Sequence, residues 1–590
     1  MVDWRRFGSR KGAAETSVTS TGSDLQPDFV SEGSLKFALE KSGNDAGISY
    51  QEASGAPVEV CSSLGYSVGA VSILFLNFSM MVGTGVFSTP STILRGTGSP
   101  GLALIFWTLG FFISIASLVI YLEYASYFPN RSGSEVVYLE QAFPRPKYFF
   151  PLTFAVQTVA LSFSASNAIV LSEYLWRVNG HSPTDWEQKG VAIAGYTVAY
   201  LLVVFHTRTS LWISNTIGGV KLITLIFIAI TGLVVLGGHT RVKDPKANFR
   251  DAFHGSGSGG GYGATTALYD IIFSYAGYTN AFNVVNEVRK PVQTLKKSAS
   301  YALLLVAILY ILANVAYLAA VPKATLAAGK QTVASLFFEA VFGSNVKGLN
   351  ILIALSAFGN IIAVMIGQSR VIRECGRQGV LPWPKFWAST RPFGTPIGPY
   401  TVKWGLTMIM ILAPPAGDAF NFVVNLSVYP SQAFLLALAV GLYFVRYERK
   451  KAGLPRADFR AWDVAIVFSV LVNIYCLVMP WYPPPGGKDA GEFTFWYAAY
   501  VVTGIGILVL CVVYYIVWMY VLPHFGKYAV RQEIIVLDDQ GTNSHILVKV
   551  PLGEVDAWDA AHDPTGRPIG DSENEFQQAV KGDYEAEKSV

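Results

Sequence analysis

Charge is what this 590-residue chain is short of. Only 14% of its residues are Asp, Glu, Lys or Arg, against roughly 25% in soluble domains. Hydrophobic residues make up 52%, a balance that excludes an ordinary soluble core. The two signs nearly cancel, to +4, so the concentrated basic patch of a nucleic-acid binder is missing. Cysteine is equally scarce: Cys61, Cys375, Cys476 and Cys511 have neither the paired spacing of a zinc site nor the density of a disulfide scaffold. The seven histidines form no H-x-x-x-H pair, and no glycine loop ends in the Lys-Ser/Thr of a P-loop, which removes the parts of metal hydrolysis and of ATP-driven pumping. No cofactor, metal or enzymatic activity is expected. The stretch from His254 to Gly263 looks like a phosphate loop only superficially and reads as a linker. No cleavable signal is recognisable in residues 1–60, which are polar, rich in Ser and Gly and carry both signs; the first apolar span is expected to direct insertion.

What the chain has is long apolar runs. A bilayer core about 30 Å thick takes about 20 residues of helix, and twelve candidates, numbered helices 1 to 12, fall near 67–94, 101–128, 148–177, 189–206, 211–237, 264–287, 299–321, 333–366, 397–415, 419–444, 462–481 and 495–522. The expected fold is an all-α polytopic membrane protein. With the N-terminus inside, the loops rich in Lys and Arg become cytoplasmic, among them those holding Arg145 and Lys147, Arg289 to Lys297, Arg370 to Lys403 and Arg446 to Arg460. This is the sign of the positive-inside rule. The expected organisation is a cytoplasmic tail over 1–60, a transmembrane domain over 61–522 and a second cytoplasmic tail over 523–590, both tails largely disordered in isolation. The segment Asp28 to Lys41 mixes apolar and charged residues and can dock on the body or on an adaptor. Lys11, Lys36 and Lys41 are placed where ubiquitin attachment through a ligase adaptor would be sterically easy. The sequons at Asn77, Asn130 and Asn425 fall in spans or inside, so glycosylation is not expected.

Two spans carry glycine at mid-membrane depth. Helix 1 reads Asn77-Phe-Ser-Met-Met-Val-Gly-Thr-Gly-Val-Phe-Ser-Thr-Pro90, and helix 6 reads Phe273-Ser-Tyr-Ala-Gly-Tyr-Thr-Asn280. Glycine weakens a helix there, and unwound backbone inside a membrane is tolerated only where protein buries it or it lines a cavity. Interrupted spans in corresponding positions, first and sixth, point to a site between inverted repeats. Freed N–H groups attract a carboxylate and freed carbonyls accept from an ammonium, so an α-amino acid suits both ends. The alternative is that Gly83 and Gly85 only allow close helix packing.

Lys221 in helix 5 is the third signal. It lies about ten residues, or about 15 Å, inside its span, too deep for its stem to snorkel out easily. An intramembrane lysine costs at least about 2.5–3.5 kcal/mol and is a functional candidate by default. Its ammonium can stand where a coupling sodium would, on broken-helix carbonyls, or can act as a fixed cation bracing helices 1 and 8. Ser356 and Asn360 in helix 8 join it as coupling candidates. Glu123 and Glu287 read as interfacial partners of nearby cations, and Ser166 and Asn167 as polar groups that bond a neighbouring helix.

Five motifs in order carry a family resemblance: Val82-Gly-Thr-Gly-Val-Phe87, the 123–135 stretch from Glu123 to Glu135, Phe273 to Tyr278, Asn286-Glu-Val-Arg-Lys-Pro291, and Gln368 to Pro382. Over roughly 65–480 the chain resembles the amino acid–polyamine–organocation superfamily, in its L-type amino acid transporter branch, and is most similar to the fungal methionine permeases. The resemblance implies the LeuT-type fold, with helices 1–5 and 6–10 as inverted repeats, alternating access around a central site, and helices 11–12 outside the repeats. It implies that Gly83, Thr84 and Gly85 hold the substrate carboxylate and that Phe273, Ser274 and Tyr275 bind the amine and gate the pocket. Met81 and Gly277 flank these two groups, and Lys221 falls at the lysine that replaces sodium. Animal relatives join a glycoprotein through a cysteine between helices 3 and 4, and none lies between Arg177 and Lys189. A stand-alone plasma-membrane importer is implied, driven by protons and carrying methionine or another large neutral amino acid. An exchanger and a nutrient receptor of the same fold are the alternatives.

Overall fold

A computed structural model describes residues 28–32, 35–41, 48–52, 69–129, 133–181, 183–205, 207–288, 290–343, 347–389, 393–415, 418–487, 491–537, 542–562, 566 and 568. Ten helices among them are long and apolar enough to cross a membrane: Ala70–Ser88, Pro100–Tyr127, Phe149–Asn179, Asp185–Phe205, Trp212–Leu236, Pro291–Ala320, Asn350–Gly376, Ala419–Lys451, Asp463–Trp481 and Ala499–Gly526. They correspond to expected helices 1–5, 7, 8 and 10–12. The other two are shorter: helix 6 is Gly260–Tyr275 followed by the 3-10 segment Asn280–Glu287, and helix 9 is Ile397–Leu412.

The helices are amphipathic in reverse. On helix 5, Ile223, Ile226, Ile230 and Leu233 are exposed while Lys221 and Thr224 are buried. A surface helix of a soluble protein does the opposite, so the apolar outer face is the one that meets lipid.

The structure corrects three of the expected boundaries. The run 333–366, read as one span, is a short helix Val333–Phe342 and then the true helix 8, Asn350–Arg377. Gly343, at φ +87°, ends the first helix, and the almost uncharged stretch after it kept a hydropathy window from seeing the turn. Arg370 and Arg373 therefore belong to helix 8 rather than to a loop. Lys403, also placed in that loop, is a fully buried residue of helix 9.

Helix 3 is broken as well, which was not expected. It runs Phe149–Ala160, leaves the helical path at 161–164 and resumes as Ala165–Asn179. The ammonium of Lys403 donates to the Ser162 carbonyl in this break and to Gln368 Oε1 on helix 8. Ser164 N donates to Thr407 Oγ1 on helix 9 at 3.1 Å. Helices 3, 8 and 9 are thereby tied at the break.

Helix 7 packs on helices 1, 2 and 5, the first half of helix 6 on the last part of helix 1, and helix 8 on helices 3 and 5. Glu123 on helix 2 is buried and takes a bidentate pair from Arg446 on helix 10, Nε to Oε1 at 2.8 Å and Nη2 to Oε2 at 2.6 Å, with Ala461 N as a third donor at 2.7 Å. The expected cation partner is thus Arg446, and three donors satisfy the buried carboxylate. The side chains of Glu287 and Arg289 lie outside the described residues.

The tails, expected to be largely disordered, contain strands. β1 (Asp28–Glu32), β2 (Leu35–Lys41) and β3 (Ile48–Glu52) form an antiparallel sheet in that order, with Val30 opposite Phe37 and Leu39 opposite Tyr50. β4 (Tyr528–Leu537) and β5 (Thr542–Pro551) form a hairpin followed by the helix Val555–Ala561. Both lean on the helical body. Arg449 Nη1 at the end of helix 10 donates to the Tyr50 carbonyl at 2.7 Å, and Leu547 N donates to the Gln378 carbonyl just after helix 8 at 3.3 Å. Arg531 on β4 clamps Asp559 at 2.8 and 3.0 Å and holds its carboxyl below the usual range. Lys11 lies outside the described residues; Lys36 and Lys41 lie in β2.

Candidate functional site

The helix 1 break follows from its glycines. The first half ends at Met81, Val82 turns at φ −77°, ψ 79°, and helix resumes at Gly85–Ser88 and Pro90–Thr97. In helix 6 the first half ends at Tyr275, Ala276 is extended, and Gly277 takes φ +115°, a backbone region closed to most L-residues.

The two breaks lie side by side. A Cβ on Gly85 would come within 2.6 Å of Ser274 Oγ and 2.7 Å of Ser274 Cα, and one on Gly277 within 2.7 Å of Met80 Cγ. Glycine is therefore required for contact between the two segments; at the start of Gly85–Ser88 the Phe87 N–H donates to the Thr84 carbonyl at 3.2 Å, while the first N–H of a helix has no carbonyl one turn back. Ser274 Oγ donates to the Asp270 carbonyl at 2.7 Å and meets Thr89 Oγ1 at 3.0 Å. Its hydroxyl locks helix 6 to helix 1.

Each expected residue has a definite place. Met81 is buried, and its carbonyl accepts from Tyr310 Oη at 2.7 Å. Thr84 Oγ1 donates to Asn167 Oδ1 at 3.1 Å, and Asn360 Nδ2 donates to the same oxygen at 3.2 Å, so helices 1, 3 and 8 meet there. Asn360 also closes over Gly83, where a Cβ would lie 2.4 Å from its Nδ2. Phe273 is half-buried, its ring 6.2 Å from that of Phe420 on helix 10. Tyr275 turns away from the break: its hydroxyl donates to the Trp107 carbonyl at 3.0 Å. Lys221 Nζ, 0% exposed, donates to the Ser79 carbonyl in the last turn before the helix 1 break at 3.2 Å. Ser356 Oγ is buried without a partner among the described residues, and no bond joins it or Asn360 to Lys221.

Sequence reading gave no site role to Tyr310 or Asn77, and it read Asn167 only as a group that bonds a neighbouring helix, which it does. Tyr310 on helix 7 reaches both breaks: besides Met81 O, its hydroxyl lies 3.0 Å from Ser274 O. One proton serves two carbonyls, with Trp107 and Tyr275 ringed around it at 5.5 and 5.2 Å. Asn77 clamps the other side, its Nδ2 donating to Tyr278 O at 2.7 Å and its Oδ1 accepting from Ala281 N at 2.9 Å. Asn167 is the shared acceptor already described. Asn77 and Asn167 stand out as polar residues in apolar runs; Tyr310 gives no signal among the many tyrosines.

Two interrupted helices held face to face by side-chain clamps, inside a multi-pass helical membrane protein, define a permease rather than an enzyme. The model of the family described as amino acid permease matches residues 68–522, and the chain belongs to this family within the amino acid–polyamine–organocation superfamily. Among its relatives, the high-affinity methionine permease of Saccharomyces cerevisiae is 35% identical over 475 residues, 80% of this chain and 82% of the relative. The low-affinity methionine permease of the same yeast is 28% identical over 526 residues, 86% and 93% of the two chains. The b(0,+)-type amino acid transporter 1 of Mus musculus is 26% identical over 422 residues, 71% and 83%.

Proposed function

We propose that this permease imports methionine, or another large neutral amino acid, across the plasma membrane by proton symport, alternating access around the helix 1 and helix 6 breaks. The observation that carries the reading is the juxtaposition of those breaks with the Lys221 ammonium on a carbonyl of the first. The N–H groups at Gly85 face a carboxylate, and the carbonyls at the end of the first half of helix 6 face an ammonium. Phe273, between the break and helix 10, gates the site. Lys221 supplies the positive charge a coupling sodium would bring, and a lysine, unlike a metal ion, can give up and regain a proton. The names of the two yeast relatives support methionine. In this reading helices 1–5 and 6–10 are inverted repeats, the tails are cytoplasmic, and no disulfide-linked subunit is needed.

Uptake of radiolabelled methionine into proteoliposomes, with and without an inward proton gradient and with unlabelled competitors, tests the reading. Accumulation driven by the gradient and blocked by methionine is expected. Uptake that ignores the gradient and requires internal amino acid would make the chain an exchanger, and saturable binding without filling of the vesicles would make it a receptor.

A further inference from the structure

Asp270 lies in the first half of helix 6, one turn before Ser274, and is 1% exposed. Its Oδ2 is buried with no hydrogen-bond partner among the described residues. The half-helix around it is closed against helix 1: a Cβ on Gly96 would stand 2.2 Å from the Gly263 carbonyl and 3.2 Å from the Ala267 side chain. The charged groups on the surrounding elements are few. Arg95 on helix 1 and Glu492 in the loop before helix 12 lie within electrostatic range but pair with each other, Arg95 Nη2 to Glu492 Oε1 at 3.4 Å. Asp418, at the start of helix 10, is taken by Thr494 N and Oγ1 at 2.7 and 2.6 Å. Glu123 on helix 2 is taken by Arg446. Among the described residues no cation is bonded to Asp270. An ionised carboxylate without donors in an apolar interior is so costly that such a group carries a proton instead.

We infer that Asp270 is a second coupling residue of the transport cycle, the carboxylate that takes a proton from water on the side of the membrane away from the tails. The inference rests on the symport reading above. When the halves of helices 1 and 6 separate on that side, water reaches the carboxylate and a proton passes from water to oxygen. Closure then buries the neutral acid. When the opposite side opens, water enters through the break at Ala276, six residues or about 9 Å along helix 6 from Asp270, and reaches the carboxyl; the O–H bond breaks and the proton leaves with that water. An ionised Asp270 opposes closure on the outer side, which ties substrate movement to proton movement.

The test uses the full chain in proteoliposomes, as wild type, Asp270→Asn and Asp270→Glu. Methionine accumulation, methionine-dependent acidification of the lumen and gradient-free counterflow are measured. Wild type must acidify the lumen when methionine enters; failure here overturns the symport reading itself, and the role of Asp270 with it. With an inward gradient of two pH units, one proton per substrate sustains about hundredfold accumulation. Asp270→Asn is expected to lose this and the acidification while keeping counterflow within about threefold, under about 0.7 kcal/mol. Asp270→Glu is expected to restore accumulation with a displaced pH profile. Coupled wild type together with Asp270→Asn that still accumulates and acidifies overturns the inference alone. So does loss of counterflow in Asp270→Asn without rescue by Asp270→Glu, the pattern of a packing residue.

Discussion

Replacing Lys221 by methionine separates two meanings of a buried lysine. The side chains are similar in length, so Lys221→Met keeps the packing between helix 5 and the first half of helix 1 and removes the charge. The variant loses a charge-assisted hydrogen bond to the Ser79 carbonyl, worth about 1.5–3 kcal/mol. It gains relief from burying an ammonium, about 2.5–3.5 kcal/mol on insertion scales. These nearly cancel, and apolar replacement of buried charge is often neutral or stabilising. The expected result is a purified variant whose melting temperature in detergent is little changed and whose gradient-driven accumulation in proteoliposomes is lost. Undiminished accumulation would refute the coupling role. A large fall in melting temperature, with accumulation surviving in the folded fraction, would show that Lys221 is a brace.

Tyr310→Phe leaves the Met81 and Ser274 carbonyls without their shared donor; at about 2 kcal/mol for buried unsatisfied acceptors, uptake kcat/KM should fall about 30-fold, and a change under about twofold would show that the breaks do not need the clamp. Gly85→Ala places a methyl 2.6 Å from Ser274 Oγ and 2.7 Å from Ser274 Cα; because the neighbour is backbone, uptake should vanish even where the protein reaches the membrane, as scored by surface labelling. Asp559, held low by Arg531, contributes to the C-terminal hairpin above the usual carboxylate range and loses that contribution as pH falls through its lowered value. Trp558 emission followed down an acid titration should show that transition in wild type and not in Asp559→Asn.

The sequence is legible where the bilayer constrains it. Long apolar runs between charged loops locate ten crossing helices because every backbone polar group in lipid must be satisfied within its own helix. The breaks at Gly83 to Gly85 and at Gly277 are visible because glycine among polar residues weakens a helix at that depth. Bonds across helices are not legible. Nothing local distinguishes Tyr310 from a tyrosine of the core, and Lys403 reads as a loop residue because its partners, Ser162 and Gln368, lie far away in sequence. The break in helix 3 has only Ser162 and Ser164 to mark it. The strands of the tails are not legible from overall composition, which is polar there, while the signal in 528–551 is β-branched residues and pairing. Asp270 hides among apolar neighbours, and only the closed surroundings in the fold give it meaning.

The Lys403 clamp divides the molecule mechanically. The chain at 161–164 has left the helical path, yet it is gripped by an ammonium and a hydroxyl from helix 9 and joined through Gln368 to helix 8. Loss of helix there does not mean softness. Helices 3, 8 and 9 form a plate with a fixed corner beside the breaks of helices 1 and 6. In a hydrogen-exchange map the amide of Ser164, though outside any helix, should exchange as slowly as its helical neighbours, while the amides around Ala276 and Gly277 exchange faster.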